Sequence, residues 1–374
     1  MIEYFEIRNS NREIVGIVDV FKSAIWRVEY YGTGDFEIYA PCSPLNLSLL
    51  IAGNFVGRPD DVNVGLIESV QYDFDVTNGR MIVATGRFAK CILDRRIIYR
   101  LSGNAVSPTI LNGNVETTVR SVVEMNAIDC VFDSGRNMSA LVLGEHSGST
   151  KTIVDENGNE TQQQVAFENL LTWSNEFLRV YEIGSRVVLD SNNKLSFVCF
   201  EGKNRAVDNT DGNAPVIFSQ DFENLVSSKF EHDEKTYKNA ALIGGEGDGY
   251  NRFCCVLLPS ETGIERRETF VDGSKTSKKY KDSGGTEHTL TDSQYQAQLK
   301  SIGAQKLAGL PILQTFDGEI NLNSLTFKYK SNYNIGDIIT VQDSDTRLFV
   351  NTRIIEIIEV QDDKGYQLTG KYEG

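Results

Sequence analysis

Apolar and polar residues alternate with a period of two through the first hundred positions, the signature of strands with one buried face. Residues 14–39 read as IVGIVDV, AIWRVEYY and DFEIYA. In the last of these, Phe36 and Ile38 alternate with Asp35 and Glu37. The reversal Gly32-Thr33-Gly34 predicts positive backbone φ angles. NFVGRP and LIESVQYDFD follow, then the turn Thr77-Asn78-Gly79, then RMIVATGRFAKCIL. Asn-Gly between alternating runs is a strong hairpin signal. Residues 1–105 are therefore expected to curl into a small antiparallel β-barrel, since closure removes exposed edges.

The pattern changes over residues 106–215, which read as a mixed α/β segment. Apolar residues at 115, 119, 122 and 123 predict a helix over 115–128. Residues 144–164 are polar and rich in Gly and Asn, hence a loop or hairpin tip. VAFENLLTWSNEFL puts Phe167, Leu170, Leu171, Phe177 and Leu178 on one helical face. SRVVLD and KLSFVCF then form a hairpin about Ser191-Asn192-Asn193, with Leu195, Phe197 and Cys199 in alternation.

Residues 216–374 return to strands and read as a second small antiparallel barrel, with an inserted β/helix segment at about 245–310. Within the insertion, 272–292 is rich in Lys, Ser and Gly and reads as a mobile surface loop. A helix is expected at 293–309, with Leu299, Ile302 and Leu307 as its stripe and Pro311 as a stop signal. The fold class is thus α+β and β-rich. The 374 residues suggest two to four subdomains.

Composition, 40% hydrophobic and 24% charged, is that of a soluble globular protein. No apolar run approaches the ~18 residues of a membrane span, and MIEYFEIRNSNREIVG lacks the layout of a secretory signal. A net charge of −15 opposes phosphate binding and argues against specific nucleic-acid recognition. Cysteines at 42, 91, 130, 199, 254 and 255 include no CxxC pair. They are expected to be reduced and buried, a vicinal Cys254–Cys255 disulfide being strained.

Candidate chemistry is sparse. His146, His232 and His288 form no HxxxH or HExxH pattern, and they are expected as solvated loop residues. No GxSxG elbow is present. Gly244-Gly245-Glu246-Gly247-Asp248-Gly249 resembles a phosphate cradle but lacks the Lys-Ser/Thr of a P-loop, and its two acids would repel phosphate; a strand-to-strand turn is expected. Asp155–Asn159 and Asp208–Gly212 lack EF-hand spacing and read as turns. Fifty-two acids make some carboxylate pair inevitable, so pairing carries no information about glycoside hydrolysis. Asn46-Leu47-Ser48, Asn137-Met138-Ser139 and Asn159-Glu160-Thr161 match a glycosylation pattern that has no meaning without secretion. Trp26 and Trp173 are expected in the core. No catalytic, cofactor-binding or metal-ligating residue is assigned.

Several segments, in order, resemble the siphophage tail-hub proteins. These are similar to the N-terminal hub module of tail-associated lysins and related to the trimeric baseplate hub of contractile phages. The segments are AIWRVEYYGTGDFEIYAP, GLIESVQYDFD, RMIVATGRFAKCILDRRII, FENLLTWSNEF, VVLDSNNKLSFVCFEGKNR, PVIFSQDFENLVSSKFEHD, NAALIGGEGDGYNR, RRETFVD and NIGDIITVQD, spanning most of 20–345. The resemblance implies a homotrimer in which each chain contributes two tube-like β-barrels. The resulting pseudo-six-fold ring would continue the tail tube and conduct DNA through its lumen. It also implies a distal tail protein, a tape-measure protein and receptor-binding proteins as partners. Location at the virion tail tip, assembly in the bacterial cytoplasm and no stable membrane association follow. Longer relatives carry a C-terminal hydrolase, peptidase or fibre, whereas this sequence stops at Gly374 after a barrel-like strand, so no enzymatic activity and no cofactor are expected. The alternatives are a host-adhesion module acting through loops 144–164 or 270–292, and a cell-wall hydrolase.

Overall fold

The computed structural model describes residues 1–77, 79–102, 105–155, 158–281, 286–321, 326–343 and 348–373. Asn78 of the expected turn, and Glu156 and Asn157 of one acidic loop, lie outside the described residues, as do 282–285 of the Lys-rich segment. Strand makes up 43% and helix 18%, a β-rich α+β fold. The chain divides into two compact units, one of residues 1–91, 184–232 and 314–374, the other of 92–183 and 233–313.

Among the described residues, the first unit is built from sixteen strands. The N-terminal stretch supplies β1 (Phe5–Arg8), β2 (Ile14–Val18), β3 (Ser23–Glu29), β4 (Asp35–Pro41), β5 (Phe55–Arg58), β6 (Asp61–Leu66), β7 (Ser69–Asp75) and β8 (Gly79–Arg87). After the excursion into the second unit come β9 (Gly184–Leu189), β10 (Leu195–Phe200), β11 (Ile217–Ser219) and β12 (Leu225–Asp233). The C-terminal stretch adds β13 (Leu313–Ile320), β14 (Ile338–Asp343), β15 (Leu348–Asp362) and β16 (Gly365–Glu373).

These form two sheets. One runs β10-β9-β6-β5-β1-β2. The other has ten strands, eight in the order β12-β13-β16-β15-β3-β4-β8-β7, with β14 on β15 and β11 on β14. N-terminal and C-terminal stretches meet inside it, where β3 pairs antiparallel with β15 in the register Val28↔Ile357 and Trp26↔Glu359. Closure of either sheet into a barrel is not seen among the described residues.

Alternation explains the burial. β3 and β4 each bury every second residue, and Ala24, Trp26, Phe36 and Ile38 all enter one core. Trp26 is fully buried, its ring 4.7 Å from Phe88 and 5.9 Å from Phe36. Gly65 lies so near Phe36 that a Cβ would come within 2.3 Å of the ring, so only glycine fits there. In the β3–β4 turn Gly34 has the expected positive φ, 69°. Gly32 does not; a Cβ there would meet only the Glu29 side chain, whose end can move. A short helix, α1 (Pro44–Leu49), begins with the Ser43 hydroxyl accepting from Asn46 N and proline in its first turn, and it buries Leu49.

The second unit holds α2 (Val115–Val123), α3 (Leu170–Val180) and α4 (Asp292–Ala308). In α2 the expected apolar positions 115, 119, 122 and 123 are buried, and a π-helical turn, Glu124–Ile128, continues it. α3 begins later than its pattern suggests, because Asn169 caps it, its side chain accepting from Leu171 N and Thr172 N. Phe167, expected on that helical face, precedes the cap, is exposed and has a φ of 62°.

α4 covers one face of a three-stranded sheet in which strand 240–244 pairs antiparallel with 254–257 and parallel with 268–272. Ala241, Ile243, Cys255 and Val271 pack there against Tyr295 and Leu299. Of the expected stripe only Leu299 is fully buried; Ile302 and Leu307 are half-buried. Gln298 and Ser301 are buried instead, because α4 also faces the short strand Gln163–Val165. Gln163 Nε2 donates to Ser301 Oγ at 2.6 Å, and Gln164 Nε2 donates to Gln298 Oε1 at 2.9 Å. The segment 144–164 thus ends in a strand, paired with 109–111. The Lys-rich segment carries two short paired strands, 279–281 and 287–289. All six cysteines are free thiols. Cys254 is exposed rather than buried, because strand 254–257 is an edge and its even positions face away from α4.

Candidate functional site

Of the residues singled out in the sequence, His146 lies in a buried polar cluster. Glu116, in the first turn of α2 and fully buried, accepts hydrogen bonds from Ser147 N at 2.9 Å and Ser147 Oγ at 2.5 Å. His146 Nδ1 lies 3.3 Å from the same carboxylate. Serine, histidine and carboxylate therefore meet, but in the wrong order for nucleophilic catalysis, since the serine hydroxyl donates to glutamate and not to imidazole. The cluster anchors the 144–149 loop, which Arg120 also holds by donating to Gly144 O at 2.6 Å. His146 is half in solvent, with one ring nitrogen turned to the Glu116 carboxylate. His232 lies on β12, and His288 stacks on Tyr280 with ring centroids 5.3 Å apart.

The Gly-rich stretch joins strands 240–244 and 254–257 as a turn. Its Glu246 carboxylate accepts from Ser277 Oγ at 2.6 Å and Lys278 N at 3.0 Å, and Glu246 N donates to the Tyr295 hydroxyl at 2.8 Å. A side chain on Gly245 would collide with that hydroxyl. Gly245 thus serves close packing against α4, while Gly247 and Gly249 take positive φ in the turn. Asp155 accepts from Asn159 N, and Asp208 from Asn351 Nδ2, both as turn or loop ties. Among the described residues, no group of three or more His, Cys, Asp or Glu side chains could hold a metal ion. Trp173 is buried and stacks on Phe177.

A larger charged cluster lies between the two sheets of the first unit, and no local motif announces it. Arg58 of β5 donates to Asp60 through Nε at 2.9 Å and Nη2 at 2.6 Å, and to Glu359 Oε2 at 2.9 Å across 301 residues of sequence. Both Arg58 and Glu359 are almost wholly buried. Tyr366 donates to the same Glu359 oxygen at 2.7 Å. Lys330 reaches in with Nζ 2.8 Å from Asp61 Oδ2 and 2.9 Å from Asp60 O. Burial disfavours the Arg58 charge, yet Asp60 and Glu359 outweigh it and raise its affinity for the proton. Burial and then the Glu359 charge hold the Tyr366 hydroxyl well above the ordinary tyrosine range. With every ion paired, this is an inter-sheet brace rather than a reactive centre.

What remains open is surface. β7 ends the ten-stranded sheet. Its Tyr72 lies opposite Ile82 and its Phe74 opposite Arg80, while Ile82 lies opposite the buried Ala40. Tyr72 and Phe74 therefore continue the core face of the sheet, yet they are 62% and 69% exposed. Val70, on the same face, still packs against the core, so the cover ends along β7. β12 ends the same sheet on its other side with Val226 and Phe230 exposed. Long open edges with exposed apolar residues are templates for association. The alternating pattern of SVQYDFD was readable in the sequence, but which apolar face lay uncovered was not.

The family described as Siphovirus ReqiPepy6 Gp37-like protein matches residues 4–369. No curated protein matches the chain. Among solved structures the fold is similar to the tail protein from Neisseria meningitidis MC58, with a TM-score of 0.57 at 11% identity, over 99% of this chain and 96% of that one. It is likewise similar to the prophage MuSo2 43 kDa tail protein from Shewanella oneidensis, with a TM-score of 0.55 at 12% identity, over 99% and 98%. At such identities the likeness is one of fold, and it runs the full length of both partners. The chain belongs to the siphovirus Gp37-like protein family and has the fold of phage tail proteins.

Proposed function

We propose that this chain is a non-enzymatic structural protein of the tail tip of a long-tailed phage or prophage, a baseplate hub that assembles as a homotrimer. Three copies, each presenting two tube-like β modules, imitate six-fold symmetry and continue the tail tube. The full-length fold likeness to two tail proteins carries this reading. The uncovered sheet edges at β7 and β12 support it, since closure into a tube would be completed between copies. A net charge of −15 suits a conduit along which DNA slides without adhering. A distal tail protein, a tape-measure protein and receptor-binding proteins are the proposed neighbours.

Native mass spectrometry and electron microscopy of the purified chain test the proposal. The expected result is three copies around a three-fold axis with a lumen wider than ~20 Å, the breadth implied by duplex groove dimensions. A two-fold dimer, or a ring with no passage of that width in any state, would overturn it.

A further inference from the structure

The chain leaves the first unit after Cys91 and re-enters it at Gly184. Lys90 and Ser185, each one residue inside those crossings, are joined by a hydrogen bond of 3.3 Å between Nζ and Oγ. Lys90 is only 2% exposed and ranks among the largest fully buried side chains. Ser185 Oγ is the sole hydrogen-bond partner of its Nζ among the described residues.

That geometry suits one protonation state. An ammonium brings three donors and no acceptor, so two would lack a protein partner among the described residues. A neutral amine needs less and can also accept from the serine hydroxyl. Ser185 on β9 takes its hydrogen bond, and Cys199 on β10 and Glu29 on β3 act on its charge; no carboxylate lies within bonding distance of the amine among the described residues. We infer that Lys90 and Ser185 form a proton-sensitive clamp where the chain leaves and re-enters the first unit, held shut by the neutral amine and loosened by its protonation.

Burial lowers the Lys90 pKa from 10.5 to about 7, against weaker support for the charge from Cys199 and Glu29. The sign follows by linkage. Between pH 10.5 and 7 the opened site binds a proton that the closed site does not, so opening becomes easier as pH falls, and levels off below 7.

Native-state hydrogen exchange of amides in 88–91 and 184–187, corrected for the chemical exchange rate, reads the opening equilibrium. From pH 9 to pH 7 the wild-type protection should fall roughly 50-fold, the uptake of one proton on opening. In Lys90→Met it should stay constant. Equal wild-type protection at both pH values, or the same fall in Lys90→Met, overturns the clamp. A second measurement needs no variant: the lysine ε-carbon resonance of Lys90 in the intact chain should titrate near 7, and a midpoint near 10.5 would overturn the clamp equally.

Discussion

At Phe167 the backbone sits at φ 62°, a region where an L side chain costs roughly 1–2 kcal/mol. Its ring is largely exposed, so little packing offsets that cost. Phe167→Gly should raise stability by about 0.5–1 kcal/mol, less than the strain because glycine loses more entropy on folding. The check is a higher denaturant midpoint at unchanged slope. The same residue shows how far single positions can be read from sequence. Phe167 matches the helical spacing of Leu170, Leu171, Phe177 and Leu178, but spacing does not register that Asn169 stops the helix short of it. Gly34 was legible, because a tight reversal leaves little choice. Gly32 was not: the reversal suggests a positive φ there that the backbone does not take.

Among elements, α3 is held at its start by one side chain satisfying two backbone donors. Asn169→Ala should cost about 1 kcal/mol, seen as a lowered melting temperature with the fold retained. Hairpins were the most legible elements. β9 and β10 pair in the register Val187↔Phe197 about a turn that alternation and Asn-rich spacing had located, since strand neighbours close in sequence need only a local signal. α4 was legible as a helix but not in its buried face. The glutamines at 163 and 164 fall in the stretch expected as a loop, and Gln298 and Ser301 lie outside the stripe expected to be buried. Each pair is buried only because the other is there, and no window of one segment contains both. The open hairpin β7–β8 is similar: its period of two was plain, while the end of the covering layer is a property of other strands.

Across the whole molecule the Arg58–Glu359 brace ties the two sheets of the first unit together, and a buried ion pair has a characteristic response to mutation. Arg58→Met alone should destabilise by about 3 kcal/mol, because the buried Glu359 carboxylate then keeps only the Tyr366 hydroxyl and Lys330 Nζ at 3.6 Å. Adding Glu359→Met should return most of that loss, which chemical denaturation of the two variants side by side would show. A double variant no better than the single one would mean that the brace draws its strength from Asp60 and Lys330 instead. No sequence pattern announces such a pair, since its partners come from opposite ends of the chain.

The same topology has a bearing on how the protein is made. β3 lies in the middle of a sheet, and one of its two flanking strands, β15, emerges from the ribosome more than three hundred residues later. At ~5–20 residues per second, the nascent β3–β4 ribbon waits roughly 15–65 s with a bare hydrogen-bonding edge. Through that interval it is a target for mispairing with other nascent chains, so yield should depend on translation speed and chaperone supply more steeply than equilibrium stability would suggest.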